Sequence, residues 1–259
     1  MNILITNDDG VYADGIFELA NKVKAIANVY VVAPDSEKSA IGHAITIHNP
    51  LMVKKVNFRN TDIDAYAVSG TPADCVKLGI EAILEDIHID LVLSGINNGP
   101  NLGTDVIYSG TVSGAMEGLV QNKPSIAISY DGKNISSKEY EKGAEYVVQF
   151  IDKIKDNLTM LDDTMININI PDIRDTKING FKVTQLGIRR YENTFEKRID
   201  PRGNIYYWLG GKTVELEQDE NSDVTAIKNG FIAITPLKYD LTHYDRIGRI
   251  MKEIQPLDI

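Results

Sequence analysis

Two adjacent carboxylates, Asp8 and Asp9, stand between Asn7 and Gly10, directly after a short and mostly apolar run from Asn2 to Thr6. A run of this kind bounded by turn formers reads as a buried parallel strand. The carboxyl ends of parallel strands are where open α/β sheets hold their ligands. Two carboxylates side by side in a partly dry cleft repel each other, and a hard divalent cation is the usual group that neutralises them. The bland alternative is a solvated Asp-Asp-Gly turn.

Three further stretches carry groups suited to the same edge. Gly95 to Gly103 is rich in glycine and asparagine, permits close backbone approach to a ligand, and offers amide oxygens such as that of Asn97. Ser109, Gly110 and Thr111 open a helix, whose free N–H groups and positive dipole end suit a phosphate; Ser109 and Thr111 are good caps in any case. The loop Asp35 to Ala40 faces the Asp8–Asp9 cleft, and Ser36 and Ser39 in it are otherwise ordinary loop hydrogen-bonders. The four histidines are scattered and none is paired at zinc spacing. Cys75 falls on the apolar side of its helix and reads as a small core residue.

The elements that must position these groups follow from periodicity. A helix after Gly10 carries Ile16, Leu19, Ala20, Val23, Ile26 and Ala27 on one side. Val29 to Ala33 is a second strand, completing a right-handed βαβ opening. A dinucleotide fold also opens so, but Asp8 to Gly15 lacks the G-x-G-x-x-G pattern and puts carboxylates where a pyrophosphate would lie. Residues 44–48, 51–56 and 63–68 read as short antiparallel strands. Thr71 is an N-cap with Pro72 at the first helical position. Asp90 to Ser94 is a central strand, Ser125 to Ser129 another, residues 138–154 a helix, and Met165 to Ile170 the last strand of the main sheet. Residues 189–225 are charged and tyrosine-rich and read as a projecting hairpin arm; Gly211-Lys212-Thr213 in it mimics the end of a P-loop, but the first glycine and the helix are missing. Gly230 to Pro236 returns as a strand and Leu237 to Ile254 as a terminal helix. The chain thus reads as one α/β domain: a three-layer core over about 1–185 and 230–236 with a mostly parallel sheet, a C-terminal β-hairpin arm over about 186–229, and a helical segment over 237–259.

Length and charge narrow the partners. The 259 residues suffice for a sizeable core. With a formal net charge of −10 and no basic cluster, a polyphosphate backbone is repelled, so no nucleic-acid polymer is expected as partner. A small phosphate ester remains possible because a bound cation reverses the local field. No apolar run has the length of a membrane span and the chain starts directly with a strand, so neither membrane nor signal peptide is expected. The lone cysteine fits a reducing cytoplasm.

In order and spacing these motifs resemble the SurE family, the stationary-phase survival proteins. The likeness rests on Thr6-Asn7-Asp8-Asp9-Gly10, Val32-Ala33-Pro34-Asp35 with Ser39, Gly70-Thr71-Pro72-Ala73-Asp74-Cys75-Val76, and Ser94-Gly95-Ile96-Asn97. It continues through Gly99-Pro100-Asn101-Leu102-Gly103, Ile107-Tyr108-Ser109-Gly110-Thr111-Val112, and Thr235-Pro236-Leu237 with Asp240 and Thr242. The resemblance implies a Rossmann-like core and one divalent cation per subunit, held by Asp8, Asp9, Ser39 and Asn97. It implies hydrolysis of nucleoside 5′- and 3′-monophosphates, and homodimers or homotetramers built by exchange of C-terminal segments. Some relatives carry a histidine four residues after the equivalent of Asp240; here that place is Tyr244, with His243 one earlier.

The residue chemistry agrees with that inheritance. Two carboxylates, a hydroxyl and an amide oxygen suit Mg²⁺ or Mn²⁺ and serve zinc poorly. Asn7, Asn97 and the Ser109-Gly110-Thr111 helix start are the expected phosphate contacts, and the Asp8–Asp9 pair the expected catalytic centre and source of the general base. Two rivals are a haloacid-dehalogenase-type phosphatase, which needs D-x-D spacing in place of adjacent acids, and a non-catalytic metal or nucleotide sensor.

Overall fold

The computed structural model describes residues 1–254. In chain order the main elements are β1 (Asn2–Thr6), α1 (Asp14–Val23), β2 (Asn28–Pro34), β3 (Val53–Val56), β4 (Asp64–Val68), α2 (Pro72–Leu78), β5 (Leu91–Asn98), α3 (Gly110–Val120) and β6 (Ser125–Asp131). They continue with α4 (Ser137–Ile154), β7 (Met165–Pro171), β8 (Phe181–Val183), β9 (Arg190–Glu192), β10 (Phe195–Ile199), β11 (Ile205–Leu209), β12 (Lys212–Val214), α5 (Asp223–Lys228), β13 (Ile232–Leu237) and α6 (Tyr244–Ile254).

One sheet runs in the order β3-β4-β2-β1-β5-β6-β7-β13-β8, with β4 through β7 parallel along its middle. Alternation along the central strands explains the three layers. Ile3, Ile5, Val31, Ala33, Leu91 and Leu93 join the core under α1 and α4. Leu4, Val32 and Val92 point the other way, to the core that holds Cys75 and Val76 of α2. Strands buried on both faces therefore read as continuous apolar runs. α3 lies beside α2 on the second face and packs over β5 and β6.

The structure departs from the sequence reading where tertiary partners compete for the backbone. Residues 44–48 form no strand. Thr71, which caps α2, donates its hydroxyl to the Ala44 carbonyl at 2.7 Å, and Asp74 accepts from the Thr46 amide at 2.9 Å and its hydroxyl at 2.6 Å. The helix start thus takes the groups that a ladder would have used. β3 and β4 are antiparallel to each other as expected, yet β4 also pairs parallel with β2 and belongs to the main sheet. Met165–Pro171 is not the sheet's limit, since β13 adds antiparallel to β7, and β8 adds beyond it.

The projecting arm is narrower than residues 186–229. It comprises the β10–β11 hairpin, exposed throughout, and the β9–β12 pair at its root. α5 instead returns to the core with Ala226 and Ile227 buried. The terminal helix starts at Tyr244 rather than Leu237, because Leu237 still pairs with Met165 and Asp240 ties down the Thr242 amide and the Tyr244 hydroxyl. The last five residues of the expected 237–259 segment lie outside the described residues.

Candidate active site

β1 delivers its two acids to the carboxyl edge of the sheet on a turn that Asn7 holds shut. The fully buried Asn7 side chain donates to the Gly10 carbonyl at 3.0 Å and accepts from the Gly10 amide at 3.2 Å. Asn7 is therefore a brace for the turn, with one Nδ2 proton and one Oδ1 lone pair engaged by Gly10.

Asp8 is 5% exposed and sits against the start of α3, where it accepts a hydrogen bond from the Thr111 hydroxyl. Gly110 packs so close that a Cβ there would lie 2.8 Å from the Asp8 Cβ and 2.9 Å from its Oδ2. Ser109 caps the helix, its Oγ accepting from the Val112 amide at 3.0 Å. Thr111 and Ser109 thus serve a carboxylate and a helix end, and in this structure the positive end of α3 faces Asp8. Burial pushes the Asp8 carboxyl up to about 6; the Thr111 hydrogen bond opposes that rise and the Asp9 charge adds to it. Asp9 is less buried and is raised in the same sense, first by burial, with the Glu37 charge adding and a hydrogen bond from Asn98 opposing.

The other two expected ligands lie on β5 and on the loop after β2, the strands that flank β1. Asn97 and Asn98 project from the end of β5, which runs on to Asn98 instead of dissolving into a loop at Gly95. The strand is irregular between Ser94 and Asn97, and a Cβ at Gly95, whose φ is +145°, would meet the Ile128 carbonyl oxygen at 2.3 Å. Only glycine allows β5 to pass β6 there. The Asn98 amide donates to Asp9 Oδ2 at 3.0 Å. Asn97 donates through Nδ2 to the Gly99 carbonyl at 2.8 Å, which leaves its Oδ1 free to act as a donor to a cation.

Ser39 lies on the loop after β2. The Lys38 amide donates to the Asp8 carbonyl at 2.7 Å, Gly42 to the Tyr108 carbonyl at 2.9 Å, and His43 contacts Glu117 of α3 at 2.9 Å, so the loop is pinned beside both Asp8 and α3. Ser39 is exposed and donates its hydroxyl to Glu37 at 2.5 Å. With its proton so directed, the oxygen keeps its lone pairs for a cation. Asp8, Asp9 and Asn97 with Ser39 are an oxygen-only set, and no group of three or more His, Cys, Asp or Glu side chains gathers among the described residues. That chemistry fits a hard divalent ion that keeps some of its own waters.

Sequence reasoning missed three contributors: Glu37, the Asn98 amide, and a buried amide network behind the site. The Asn101 amide donates to Asn169 at 2.8 Å, while Asn167 and Asn169 donate to the Asn101 carbonyl at 2.9 and 3.0 Å. This network pins the loop after Asn98 to β7. Its signal was visible as two asparagines at alternate places in an otherwise apolar strand. Farther off, Tyr244 donates its hydroxyl to Asp240 at 2.5 Å on the exposed C-terminal segment.

The Thr111 hydrogen bond yields a test of this geometry. Thr111→Val should lower turnover about tenfold and stability by about 1–3 kcal/mol, because a buried carboxylate loses its donor. Thr111→Ser should restore most of both, as read by kinetics and thermal melts.

The chain is similar to known proteins over nearly its whole length. Residues 3–193 match the family model described as survival protein SurE. A protein of Alkaliphilus metalliredigens named 5′-nucleotidase SurE is 52% identical over 250 residues, covering 96% of this chain and 97% of the relative. One of the same name from Petrotoga mobilis is 49% identical over 250 residues, covering 96% and 98%. The crystal structure of the SurE protein from Aquifex aeolicus superposes with a TM-score of 0.82 at 42% identity, covering 98% of this chain and 99% of that one. With the Asp8–Asp9 turn, the Ser39 loop and the capped start of α3 placed at one edge of a sheet of that architecture, the chain belongs to the SurE family.

Proposed function

We propose that this protein hydrolyses nucleoside 5′- and 3′-monophosphates to nucleoside and phosphate, with one Mg²⁺ or Mn²⁺ per subunit held by Asp8, Asp9, Ser39 and Asn97. The observation that carries the reading is a nearly buried Asp8 beside Asp9 at a strand terminus, with the Thr111 hydroxyl donating to Asp8 and the Asn98 backbone N–H to Asp9. The names of the relatives support the substrate class.

A bound cation would polarise a phosphoryl oxygen and lower the pKa of a nearby water. The chain's own residues do the rest. The Asn7 brace and the Asn98 amide hold the two carboxylates in place, and Thr111 orients Asp8. The Asp8–Asp9 pair accepts the proton of the attacking water, and the positive end of the α3 dipole stabilises negative charge that develops on the phosphoryl oxygens. The P–O bond to the sugar breaks and the leaving oxygen takes up a proton. Adjacent acids do not supply the D-x-D spacing of a phosphoaspartyl mechanism, and a mere sensor would show no turnover.

The test is phosphate release from a panel of nucleoside 5′- and 3′-monophosphates. Turnover is expected with Mn²⁺ or Mg²⁺, should vanish after EDTA dialysis, and should return when either ion is added back. Full activity in the metal-free protein, or none under any condition, contradicts the reading.

We also take the protein to be a cytoplasmic homodimer or homotetramer. Cys75 is a free thiol in the core, and no described helix is long and apolar enough to cross a membrane. Phe195, Ile199, Trp208 and Leu209 are exposed on the arm, and Ile247, Ile250 and Met251 on α6. Apolar groups gathered in this way mark protein contacts. Light scattering should report at least a dimer, and deletion of residues 190–214 should reduce the mass. A monomeric intact protein contradicts this assignment.

A further inference from the structure

A cavity of about 710 Å³ lies between the root of the arm and the loop after Asn98, and no step above uses it. Its apolar lining includes Leu102 and Ile188 together with Val214 and Leu216 on the arm's returning segment. A volume of this size with mixed walls is ordinary for a small-molecule site. The last residue of β6, Asp131, lines it as well. Burial raises the Asp131 carboxyl; the charges acting on it are those of Arg189, which lowers it, and Asp172, which raises it, and no side chain or amide among the described residues donates to it. Arg189 itself is engaged by Asp105 at 3.0 Å. The Asp131 oxygens remain open to the cavity, where N–H groups of a ligand could donate to them.

The cavity shares an edge with the two acids. Asp9 accepts from the Asn98 amide, Asn98 pairs with Tyr130 across β5 and β6, and Asp131 follows Tyr130. The acids and Asp131 are thus two strand positions apart, about 10 Å. That is the reach from the phosphate to the far edge of the base in an extended nucleotide.

We propose that this cavity is the base subsite: the nucleobase lies against Leu102, Ile188, Val214 and Leu216, and Asp131 accepts hydrogen bonds from N–H groups on its edge. The assignment rests on the nucleotidase reading and deepens it. Guanine, whose N1–H and 2-amino group stand side by side, matches the two oxygens of a carboxylate best. The arm then has a part in choosing the substrate, since it contributes one wall.

The experiment compares guanosine 5′-monophosphate with p-nitrophenyl phosphate, an ester without a nucleoside, on the manganese-loaded full-length protein. Leu216→Trp fills the cavity from its wall, and Asp131→Asn exchanges one acceptor for a donor at constant shape. Each should lower the ratio of kcat/KM for the nucleotide to that for the aryl ester by about tenfold or more, mainly through KM. A ratio unchanged in both variants overturns the proposal, whatever happens to the two activities together. If the wild-type protein hydrolyses neither ester, the nucleotidase reading fails, and calorimetry with guanosine alone decides the subsite. Binding weakened about tenfold by Leu216→Trp supports it; no binding, or binding indifferent to that substitution, overturns it.

Discussion

Asp8→Asn and Asp9→Asn should each lower phosphatase turnover about a hundredfold or more while leaving the metal-free protein no less stable than wild type. The two effects have one origin. Asp8 is nearly buried, and its carboxyl is displaced from the ordinary 3.8 to about 6, with burial the first cause and the Asp9 charge a lesser one. Holding that charge in the fold at neutral pH costs on the order of 3 kcal/mol. Asparagine keeps an acceptor for Thr111 and removes the charge, so the metal-free variant should melt a few degrees higher. The sign with pH follows from the raised value. The native state holds the proton more tightly than the unfolded chain, so metal-free wild type loses stability as pH climbs from about 4 through about 6, then levels off. Asp8→Asn lacks this loss, and its advantage should be absent near pH 4 and complete at pH 7.5. Melts across that range check it. Mn²⁺ should stabilise wild type and stabilise the variants less, because binding to the native state is what raises the melt.

Gly110→Ala should be as damaging to activity without removing a charged group. A methyl there would come within 2.8 Å of the Asp8 Cβ, 2.9 Å of its Oδ2 and 3.2 Å of the Lys38 carbonyl oxygen. Two of these atoms belong to the carboxylate that must be held in place, and the third to the strut of the Ser39 loop. Either Asp8 or the loop must move, and a displacement near 1 Å in a site of this kind costs about a hundredfold in rate. Overpacking should cost about 1–3 kcal/mol in stability. Gly99→Ala is the control at the same edge, since no atom lies within 4 Å of the place its Cβ would take, although its φ of +123° brings backbone strain. Steady-state kinetics and melts of both variants separate the two cases: large loss of kcat in the first, a stability change with modest kinetic effect in the second.

The sequence made the central layer legible because strands buried on both faces leave an unmistakable apolar run, and because Thr71-Pro72 and Ser109 mark helix starts by local chemistry. It placed Asp8 and Asp9 at the sheet edge for the same reason. What it could not show were partners chosen at long range. The strand expected at 44–48 was lost to Asp74 and Thr71, and the Thr111 hydroxyl, expected at phosphate, donates to an acid 103 residues earlier in the chain. The Asn7 amide also braces a turn closed on Gly10, a contact that its residue type alone does not reveal. The repulsion between Asp8 and Asp9 was readable from adjacency alone; the larger cost of burying Asp8 was not, since burial depends on α3 closing over it.

Titration of Mn²⁺ into the metal-free protein by calorimetry tests most directly whether these two acids hold a cation. One ion per chain should bind to wild type, and the affinity should fall about tenfold or more in both Asp8→Asn and Asp9→Asn. Binding of equal strength in all three proteins would contradict the account.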